Sequence, residues 1–536
     1  MHRSLRAATA VLVMALCATE RLAAQAGGGA APVIDSIVVR TRNVFDSADA
    51  SRSAVLRLAN ALRFTTRASV VRRELLFRAG EPYDSARVAE SARNLRALGL
   101  FRAVTIDTVR DGDRLVALVR TADGWTTSIN LNARSTGGTF TFAVGLTERN
   151  FGGTGTAVGG EYRSDPDRSS LAVRTTMNRV GYTALALGGE YENLSDGKRG
   201  AWALAKPFRS LSEIWGVALN GEAAHQRVLQ FRHEPAGSGG GVDSLVTTTY
   251  QRRAFANGLS VAVAPVASPQ GYVHVGAAVA LRREEFIAAA DTIGLVPDTL
   301  RATVGAYVTW LAPRFIVVNH YNGFARDEDV DLSTRVSVTV WAAPATFGYE
   351  RDGIGPEVSI QTGFDAGPVF ARVQASASAL FTSAGLDSGS VTGNLTVAAR
   401  VLQGQATVLH VEAGAQLSPP PGSAFDLGNG VGPRAFGPHA FNGTRMAWGT
   451  IEHRVFVLDE VLQVLGLGFA GFVDYGGAWY PDQVRRLGGD VGAGLRFGAT
   501  RATGANLGRL DLAYRFGDGT VGQNRWIVSF GRSYTY

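Results

Sequence analysis

Cysteine, lysine and long apolar segments are scarce in this sequence of 536 residues. The single cysteine, Cys17, lies in an N-terminal segment that we expect to be removed, so the mature chain carries no disulfide and no thiolate metal site. The most apolar later stretch, Val464–Val473, is interrupted by glycines and is shorter than the roughly 20 apolar residues of a membrane helix. The chain is therefore either soluble or a membrane β-barrel.

The scarcity of lysine argues against a nucleic-acid partner. The net charge is +7, but the arginines are scattered singly and form no basic patch interleaved with aromatic residues. A nucleic-acid-binding surface needs such a patch, so we expect no nucleic-acid partner.

Sequence motifs of enzymes and metal sites are missing as well. No Gly-Lys-Ser/Thr follows the glycine-rich segment Gly152–Gly160, which excludes a phosphate-binding loop. The acidic run that begins at Asp327 has calcium-loop spacing, but Leu332 and Val338 replace the glycine and glutamate that such a loop requires. There is no His-Glu-x-x-His zinc motif and no Gly-x-Ser-x-Gly nucleophile turn. We therefore predict no enzyme activity, no cofactor and no metal site.

The N-terminus has the order of features found in secretory signal peptides. Arg3 and Arg6 precede a short apolar run over residues 7–18, and Ala24-Gln25-Ala26 offers a cleavage site between small residues. We predict a signal peptide over residues 1–26 and a linker over residues 27–32.

Residues 33–122 have the pattern of a small α+β domain. Strands are predicted over Val33–Arg40, Phe101–Val109 and Leu115–Arg120, and helices over Ala68–Phe77 and Ser85–Leu98. Asp84 is placed to cap the second helix, and Gly99 to end it. An additional helical segment is predicted over Ser53–Leu62.

This order of elements resembles the POTRA domain, a periplasmic polypeptide-transport module. The segments that carry the resemblance are Arg72-Arg73-Glu74-Leu75-Leu76-Phe77, Gly80-Glu81-Pro82-Tyr83-Asp84 and Arg93-Asn94-Leu95-Arg96. A generic α+β fold with the same order of elements is the alternative.

From Trp125 onward the sequence alternates apolar and polar residues without a helical period. Near the end, apolar side chains at Leu510 and Leu512 share one parity, and charges at Arg509, Asp511 and Arg515 share the other. Apolar residues facing lipid and charged residues facing a lumen give this pattern in a transmembrane barrel, whereas a soluble β-sandwich would look similar strand by strand. Strands and turns recur without helices over the whole region, often every 13 to 16 residues. We predict a barrel of about 16 strands over residues 125–536.

The final strand supports a barrel. Trp526, Val528, Phe530, Tyr534 and Tyr536 share one parity, so an apolar and aromatic face ends at the chain terminus. The last eight residues resemble the C-terminal signature of bacterial outer-membrane proteins, and the positions that match it are Ser529, Gly531, Tyr534 and Tyr536.

Two further segments resemble the BamA/TamA-type barrels, which are also described as bacterial surface antigens. Glu148-Arg149-Asn150-Phe151-Gly152-Gly153-Thr154-Gly155 is similar to the E-x-N-x-x-G-x-G turn between early strands of that superfamily. The segment 426–437 is similar to its long sixth extracellular loop, whose hallmark is V-R-G-[F/Y]. Arg434 and Phe436 match the hallmark, while Pro433 and Ala435 depart from it. We expect five strands after this loop, as a sixteen-stranded member of the family implies.

The resemblance implies that the loop folds back into the lumen and that its arginine pairs with acidic residues of the wall. The candidate residues for this lock are Arg434, Phe436, Glu452 and Asp474. A guanidinium group suits carboxylate partners in a partly desolvated lumen, because an unpaired buried arginine is costly. The alternative is that Arg434 is an exposed loop residue.

The resemblance implies a bacterial outer-membrane barrel, with its POTRA domain in the periplasm, that inserts or translocates polypeptides. The POTRA edge strand would capture an extended client by strand addition, and the seam between the first strand (Thr126–Arg134) and the last (525–536) would open laterally into lipid. The partners implied are outer-membrane lipid, unfolded outer-membrane or secreted polypeptides, and periplasmic chaperones or accessory lipoproteins. The alternatives are a passive channel or surface barrel without insertase activity, and a translocator dedicated to one secreted partner.

Overall fold

The computed structural model describes residues 32–44, 63–112, 114–136, 139–234, 244–268, 270–288, 296–324, 327–428, 431–461, 464–500, 507–518 and 524–532. The predicted signal peptide, the predicted helix at 53–62 and the aromatic residues Tyr534 and Tyr536 lie outside these ranges. No helix within the described ranges is long and apolar enough to cross a membrane.

The first folded part is a small α+β unit. Its elements are β1 (Ile34–Arg42), α1 (Ala68–Arg72), α2 (Ser85–Ala97), β2 (Phe101–Asp111) and β3 (Arg114–Asp123). The sheet order is β1-β3-β2, with β1 parallel to β3 and β2 antiparallel to it. A core that includes Val71, Leu95 and Val119 lies between the sheet and the helices. We call this part the small unit; its assignment as a POTRA domain stays a prediction.

Of the two helices predicted for the small unit, the second agrees with the structure and the first is shorter than predicted. The second helix is confirmed, since the Asp84 carboxylate accepts the N–H groups of Ala86 and Arg87 and Gly99 follows it with φ +64°. The first helix ends at Arg72 instead of Phe77. The Leu76 N–H is bonded to a side-chain oxygen of α2 (2.9 Å), which ties this segment to α2 rather than to a further helical turn.

The rest of the chain consists of β-strands. In chain order they are β4 (Thr127–Thr136), β5 (Thr139–Phe151), β6 (Thr156–Ser164), β7 (Ser169–Met177), β8 (Ala186–Leu194), β9 (Gly197–Lys206), β10 (Trp215–Glu234), β11 (Ser244–Ser268), β12 (Gly271–Ala288), β13 (Val296–Ala312), β14 (Phe315–Val318), β15 (Glu328–Asp331), β16 (Thr334–Ala343), β17 (Gly353–Ala366), β18 (Val369–Thr382), β19 (Gly385–Ala399), β20 (Gln405–Leu417), β21 (Phe425–Leu427), β22 (Phe441–Gly443), β23 (Arg445–Val461), β24 (Leu465–Trp479), β25 (Gly488–Ala499), β26 (Gly508–Gly517) and β27 (Trp526–Arg532), with a short 3-10 helix at Ala345–Phe347.

Among the described residues, 20 of these strands close into one barrel, while β14–β15 and β21–β22 form two separate hairpins. The prediction of about 16 strands is therefore wrong. Several hairpins are joined by only two residues, as at Leu194–Gly197, Ala366–Val369 and Thr382–Gly385, so the chain spends less of its length on turns than we assumed. The five strands expected after the long loop are confirmed as β23 to β27.

The faces of the barrel have opposite character. Large apolar side chains such as Ile129, Leu131 and Phe140 point outward and are exposed. Charged side chains such as Arg174 and Glu190 lie on the inner parity and pair there across neighbouring strands. An apolar exterior around a polar interior is the pattern of a transmembrane β-barrel, whose closure leaves no unpaired sheet edge in lipid.

The small unit docks on one end of the barrel, which we call the near end. The E-x-N-x-x-G-x-G segment, residues 148–155, spans the end of β5 and the turn to β6 and makes the central contact. The Asn150 side-chain amide donates to Thr66 Oγ1 (2.9 Å) and its oxygen accepts the Gly155 N–H (2.9 Å). Gly153 has φ +72°, and a Cβ there would collide with the Thr65 carbonyl oxygen. The glycines of this segment therefore allow close approach of the small unit.

Two further near-end connections hold the small unit. Glu74 is buried and accepts from Arg179 Nε of the β7–β8 connection (2.8 Å). Glu90 of α2 accepts the Leu211 N–H of the β9–β10 connection (2.8 Å). Burial raises the pKa of Glu90, against the opposing effect of this backbone hydrogen bond.

Since strands alternate in direction, the connections β6–β7, β10–β11 and β20–β23 all lie at the opposite end of the barrel, which we call the far end.

Candidate functional site

The long connection between β20 and β23, residues 418–444, turns back into the barrel from the far end. We call it the lumen loop. It contains the short hairpin β21–β22, and its tip brings Arg434, Ala435 and Phe436 to at most 1% exposure. The alternative of an exposed loop arginine is thereby removed. The tip lies against the inner face of β23 to β26, the four strands that follow it in the chain.

Arg434 contacts both carboxylates that the sequence nominated. Its Nε donates to Asp474 Oδ2 (2.6 Å) and its Nη2 to Asp474 Oδ1 (3.0 Å), which makes a bidentate pair. Its Nη1 donates to Glu452 Oε2 (2.8 Å) and its Nη2 also to Thr450 Oγ1 (3.2 Å). The guanidinium lies over the Phe472 ring at 3.8 Å. Every face of the group is therefore occupied by protein.

The backbone of the loop tip is also anchored. The Arg434 N–H donates to Asp474 Oδ2 (3.1 Å), and the Ala435 N–H donates to Asp490 Oδ2 (2.9 Å). Ala435 stands where the V-R-G-[F/Y] hallmark has glycine, but it does not adopt a positive φ. Its side chain packs with Phe472 and Ile527, so alanine fits this position without strain.

Phe436 anchors the loop on its apolar side. It is fully buried and packs with Phe441 (ring centroids 5.0 Å apart), together with Leu427, Met446, Trp448 and Ala478. A Cβ at Gly488 would lie 2.6 Å from the Phe436 ring and 2.7 Å from the Phe441 ring. The wall therefore has a glycine where the loop needs room for these rings.

The sequence did not nominate the arginines that complete the network. Arg454 Nε donates to Glu452 Oε1 (2.9 Å), and Arg496 Nη2 donates to the same oxygen (3.3 Å). Arg496 Nη1 reaches Asp511 Oδ1 (2.5 Å), while Arg509 Nη1 donates to Asp511 Oδ2 (2.7 Å). The inner parity of these residues was a usable signal, because a charge on that parity of a late strand faces the loop. We call these buried ion pairs, with Arg434 and Asp474, the lumen lock.

The lumen lock excludes water from a cluster of charges. Taking such groups out of water costs several kcal/mol per ion, and only well-placed partners offset that cost. Arg434 meets this condition with two carboxylates, a hydroxyl and an aromatic face. The arrangement therefore specifies one position for the loop tip and makes loss of any one partner costly.

A second contact holds the base of the lumen loop at the far end. His439 lies in the left-handed backbone region (φ 57°) and stacks on Phe231 of β10, with ring centroids 3.6 Å apart. Its ring nitrogens contact Asp426 Oδ2 (2.6 Å) and Asp167 (3.0 Å), the latter in the β6–β7 turn. Burial alone would lower the pKa of His439, but the hydrogen bonds to the two carboxylates raise it to about 9. His439 is therefore protonated at neutral pH and ties the loop to two distant strands.

The last described strand, β27, closes the barrel against β4. The two pair through Ser529–Arg134 and Phe530–Ala133, whereas β26 and β27 stay in register from Gly508–Arg532 to Tyr514–Trp526. Within the described residues the seam between β27 and β4 is thus much shorter than its neighbour. Of the described wall pairings, this seam therefore has the fewest residues in register.

The C-terminal signature residues lie beside this seam. Ser529 and Gly531 face the lumen side and are buried, and a Cβ at Gly531 would lie 2.6 Å from Asn132 Oδ1 of β4. Glycine therefore leaves room for the Asn132 side chain at the seam. Tyr534 and Tyr536 lie outside the described residues.

The geometry defines a class: a closed antiparallel membrane barrel whose lumen is entered by a pinned loop and whose near end carries a small α+β unit. This is the architecture of outer-membrane barrel proteins. No family model and no curated protein matches the sequence.

Solved structures with a similar arrangement include barrels named BamA and CdiB. BamA from Haemophilus ducreyi lacking POTRA domains 1-3 is 11% identical, with 93% of this chain and 85% of that chain covered and a TM-score of 0.35. CdiB from Acinetobacter baumannii is 12% identical, with coverages of 94% and 74% and a TM-score of 0.45. CdiB from Escherichia coli is 10% identical, with coverages of 96% and 92% and a TM-score of 0.47.

Proposed function

We propose that this chain is an outer-membrane barrel of the BamA/TamA type that inserts or translocates polypeptides. The observation that carries the proposal is the short seam between β4 and β27. An incoming strand that pairs with β4 would compete with β27, which among the described residues is in register with β4 at only two positions. Unfolded polypeptides are the proposed clients, and the proposed activity needs no catalytic group and no cofactor.

The small unit supports this proposal as a POTRA domain in the periplasm. Its element order and its position at one end of the barrel support the proposal that it receives clients before the wall does. Strand β2 lies at an edge of the three-stranded sheet, and its final residues, Thr108–Asp111, are exposed. An extended client would add to this edge through backbone hydrogen bonds, and periplasmic chaperones or accessory lipoproteins would bind the same exposed unit.

A disulfide across the seam tests the proposal. Phe530→Cys with Ala133→Cys places two thiols on paired positions of β27 and β4. Leu512→Cys with Val528→Cys places two thiols on paired positions of β26 and β27 and is the matched control. The only native cysteine is Cys17 in the predicted signal peptide, so no other thiol interferes.

The assay is insertion of an unfolded barrel client into liposomes that contain the purified protein. We expect the oxidised seam variant to lose insertion and to regain it on reduction, while the oxidised control retains it. Full activity of the oxidised seam variant would refute lateral opening.

A passive channel is the second candidate, and the size of the barrel favours it. Barrels of 16 to 18 strands already leave an aqueous channel, and 20 strands of the described residues close this one. A cavity of about 820 Å³ is lined by residues that include Tyr307, Ser337 and Glu357 on the inner wall. Ion conductance without any client insertion in the same liposomes would support the channel over the insertase.

A further inference from the structure

A second segment enters the lumen, from the near end. Residues 313–333 connect β13 to β16 and contain the antiparallel hairpin β14–β15. We call this connection the strap. Tyr321, Phe324 and Leu332 of the strap are all at least 95% buried, although the strap is a connection rather than part of the wall. Connections normally run over the surface, so a buried one indicates a specific seat.

The seat of the strap is the inner face of the barrel. Tyr321 packs edge-on against Phe370 of β18 (5.0 Å between ring centroids), and the same cluster includes Ala398 of β19 and Val408 of β20. Phe324 packs edge-on against Phe456 of β23 (5.2 Å). The strap therefore runs along several consecutive strands on the lumen side.

The wall is shaped to receive the strap. A Cβ at Gly363 of β17 would lie 2.6 Å from the Leu332 side chain, and a Cβ at Gly466 of β24 would overlap the Phe324 ring. Both glycines lie in strands, where glycine is otherwise unfavourable because it adds no packing. Their positions opposite buried strap residues indicate a built contact between strap and wall.

The strap shares a partner with the lumen lock. Arg454, which is fully buried, donates from Nη1 to the Tyr321 carbonyl (2.8 Å) and to Asn322 Oδ1 (3.1 Å). The same guanidinium donates from Nε to Glu452 Oε1, while Glu452 Oε2 accepts from Arg434 of the lumen loop. Two segments that enter the lumen from opposite ends are thus joined through one arginine and one glutamate.

The small unit holds the other side of the strap. Arg96 of α2 makes a bidentate pair with Asp329 of β15, at 2.5 Å from Nε to Oδ2 and 2.8 Å from Nη2 to Oδ1. Arg93, one turn earlier on the same helix, lies over the Phe315 ring of β14 at 4.8 Å. The strap therefore lies between helix α2 and the inner wall. Arg96 binds it from the side of α2, and Arg454 binds it from the side of the wall.

We propose that the strap is an inner gate of the lumen, held closed against the wall by helix α2 through the Arg96–Asp329 pair. A ligand or client that displaces α2 frees β15, and release of the strap removes the Tyr321 carbonyl from Arg454. Arg454 thereby loses two strap acceptors and shifts on Glu452, which weakens the binding of Arg434. The gate thereby links occupancy of the small unit to the lumen loop at the far end, whether the cargo is a polypeptide or an ion.

Conductance of the full-length protein in planar bilayers tests the gate without any client. In the locking variant, Phe324→Cys with Gly466→Cys, the two thiols face each other across the contact between strap and wall. We expect open events to become about tenfold rarer in the oxidised form than in the reduced form of the same protein, as for a typical coupling between two states. An oxidised form that opens as often as the reduced form would overturn the proposal.

A releasing variant gives an independent arm that leaves the barrel sequence unchanged. Arg96→Ala removes the tie from α2, and we expect open events to become about tenfold more frequent than in the wild type. The matched control is Arg120→Ala, which removes another arginine of the small unit. Arg120 lies away from the strap, and its Nη1 is 2.7 Å from Asp107 Oδ2. Equal conductance of the two variants would overturn the proposal, even where the locking variant fails to fold. If the variants change the frequency of open events as expected but the wild type inserts no client, only the proposed function is refuted.

Discussion

Two parts of the lumen wall carry the same types of residue in different surroundings. On β23 to β26, Glu452, Arg496 and Asp511 are at most 1% exposed because the lumen loop covers them. On β9 and β10, Arg199 and Glu222 form an equally regular inner-face ion pair at 3.2 Å, with side chains 30% and 27% exposed. We call the open pairs on β7 to β12 the charge ladder.

The two regions of the wall differ because the lumen loop covers the charges of one region, and not because their charges differ. In the open charge ladder, water screens each pair, and such pairs contribute about 0 to 1 kcal/mol. Under the loop, each charge has lost its water and depends on its partners, so removing one group costs about 3 to 5 kcal/mol. The lumen lock can therefore fix the position of a loop, while the charge ladder mainly keeps the lumen polar.

The largest effect is expected for Arg434→Ala. The change leaves Asp474 and Glu452 buried without their common partner, so we expect the free energy of unfolding to fall by about 3 to 5 kcal/mol. The measurement is urea unfolding in lipid vesicles, together with the temperature at which the folded band disappears in heat-modifiability gels. A wild-type melting temperature would remove the structural role of Arg434.

A smaller effect is expected for Gly488→Val. The new side chain would overlap the Phe436 and Phe441 rings, and overpacking of this kind costs about 1 to 3 kcal/mol. The matched control is Gly471→Ala on the outer face of β24, where a Cβ meets nothing within 4 Å. Equal melting temperatures of the two variants would show that the loop does not need the space above Gly488.

The far-end contact of the loop should respond to pH. The pKa of His439 is raised to about 9 in the folded protein, above the value of about 6.5 for a free histidine. Its stabilising contribution is therefore complete below about pH 6.5 and is lost as the pH rises through about 9. The charged groups that face the ring are Asp167 and Asp426.

Limited proteolysis of the far-end loops in intact proteoliposomes measures this response. We expect cleavage to become faster between pH 7 and pH 10 in the wild type. His439→Gln should cleave at the faster rate throughout and show no step near pH 9. A step of equal size in both proteins would assign the titration to another group.

The smallest effect is expected in the charge ladder. Arg199→Ala removes one partner of Glu190, Glu192 and Glu222, but the three carboxylates remain accessible to water and keep another arginine nearby. We expect the free energy of unfolding to change by less than about 1 kcal/mol. A loss as large as that of Arg434→Ala would mean that the ladder is as dry as the lumen lock.

The sequence alone predicted much of this molecule, because alternation along a strand is a local property. Parity placed Asp474 and Asp511 on the lumen side, and the pattern around Asp84 predicted helix α2. The number of strands was wrong because it depends on turn lengths, which alternation does not determine. The partners Arg454 and Arg496 were missed because they depend on the register between strands, which only the folded wall fixes.

The coupling energy of the Arg434–Asp474 pair, compared with that of the Arg199–Glu222 pair, tests the central claim most directly. Double-mutant cycles to alanine, read by urea unfolding in the same vesicles, give both values. A loop pinned in a dry lumen predicts a coupling of about 2 to 3 kcal/mol for Arg434–Asp474 and below about 1 kcal/mol for Arg199–Glu222. Equal couplings would contradict the account, because they would show that the loop tip is no drier than the open wall.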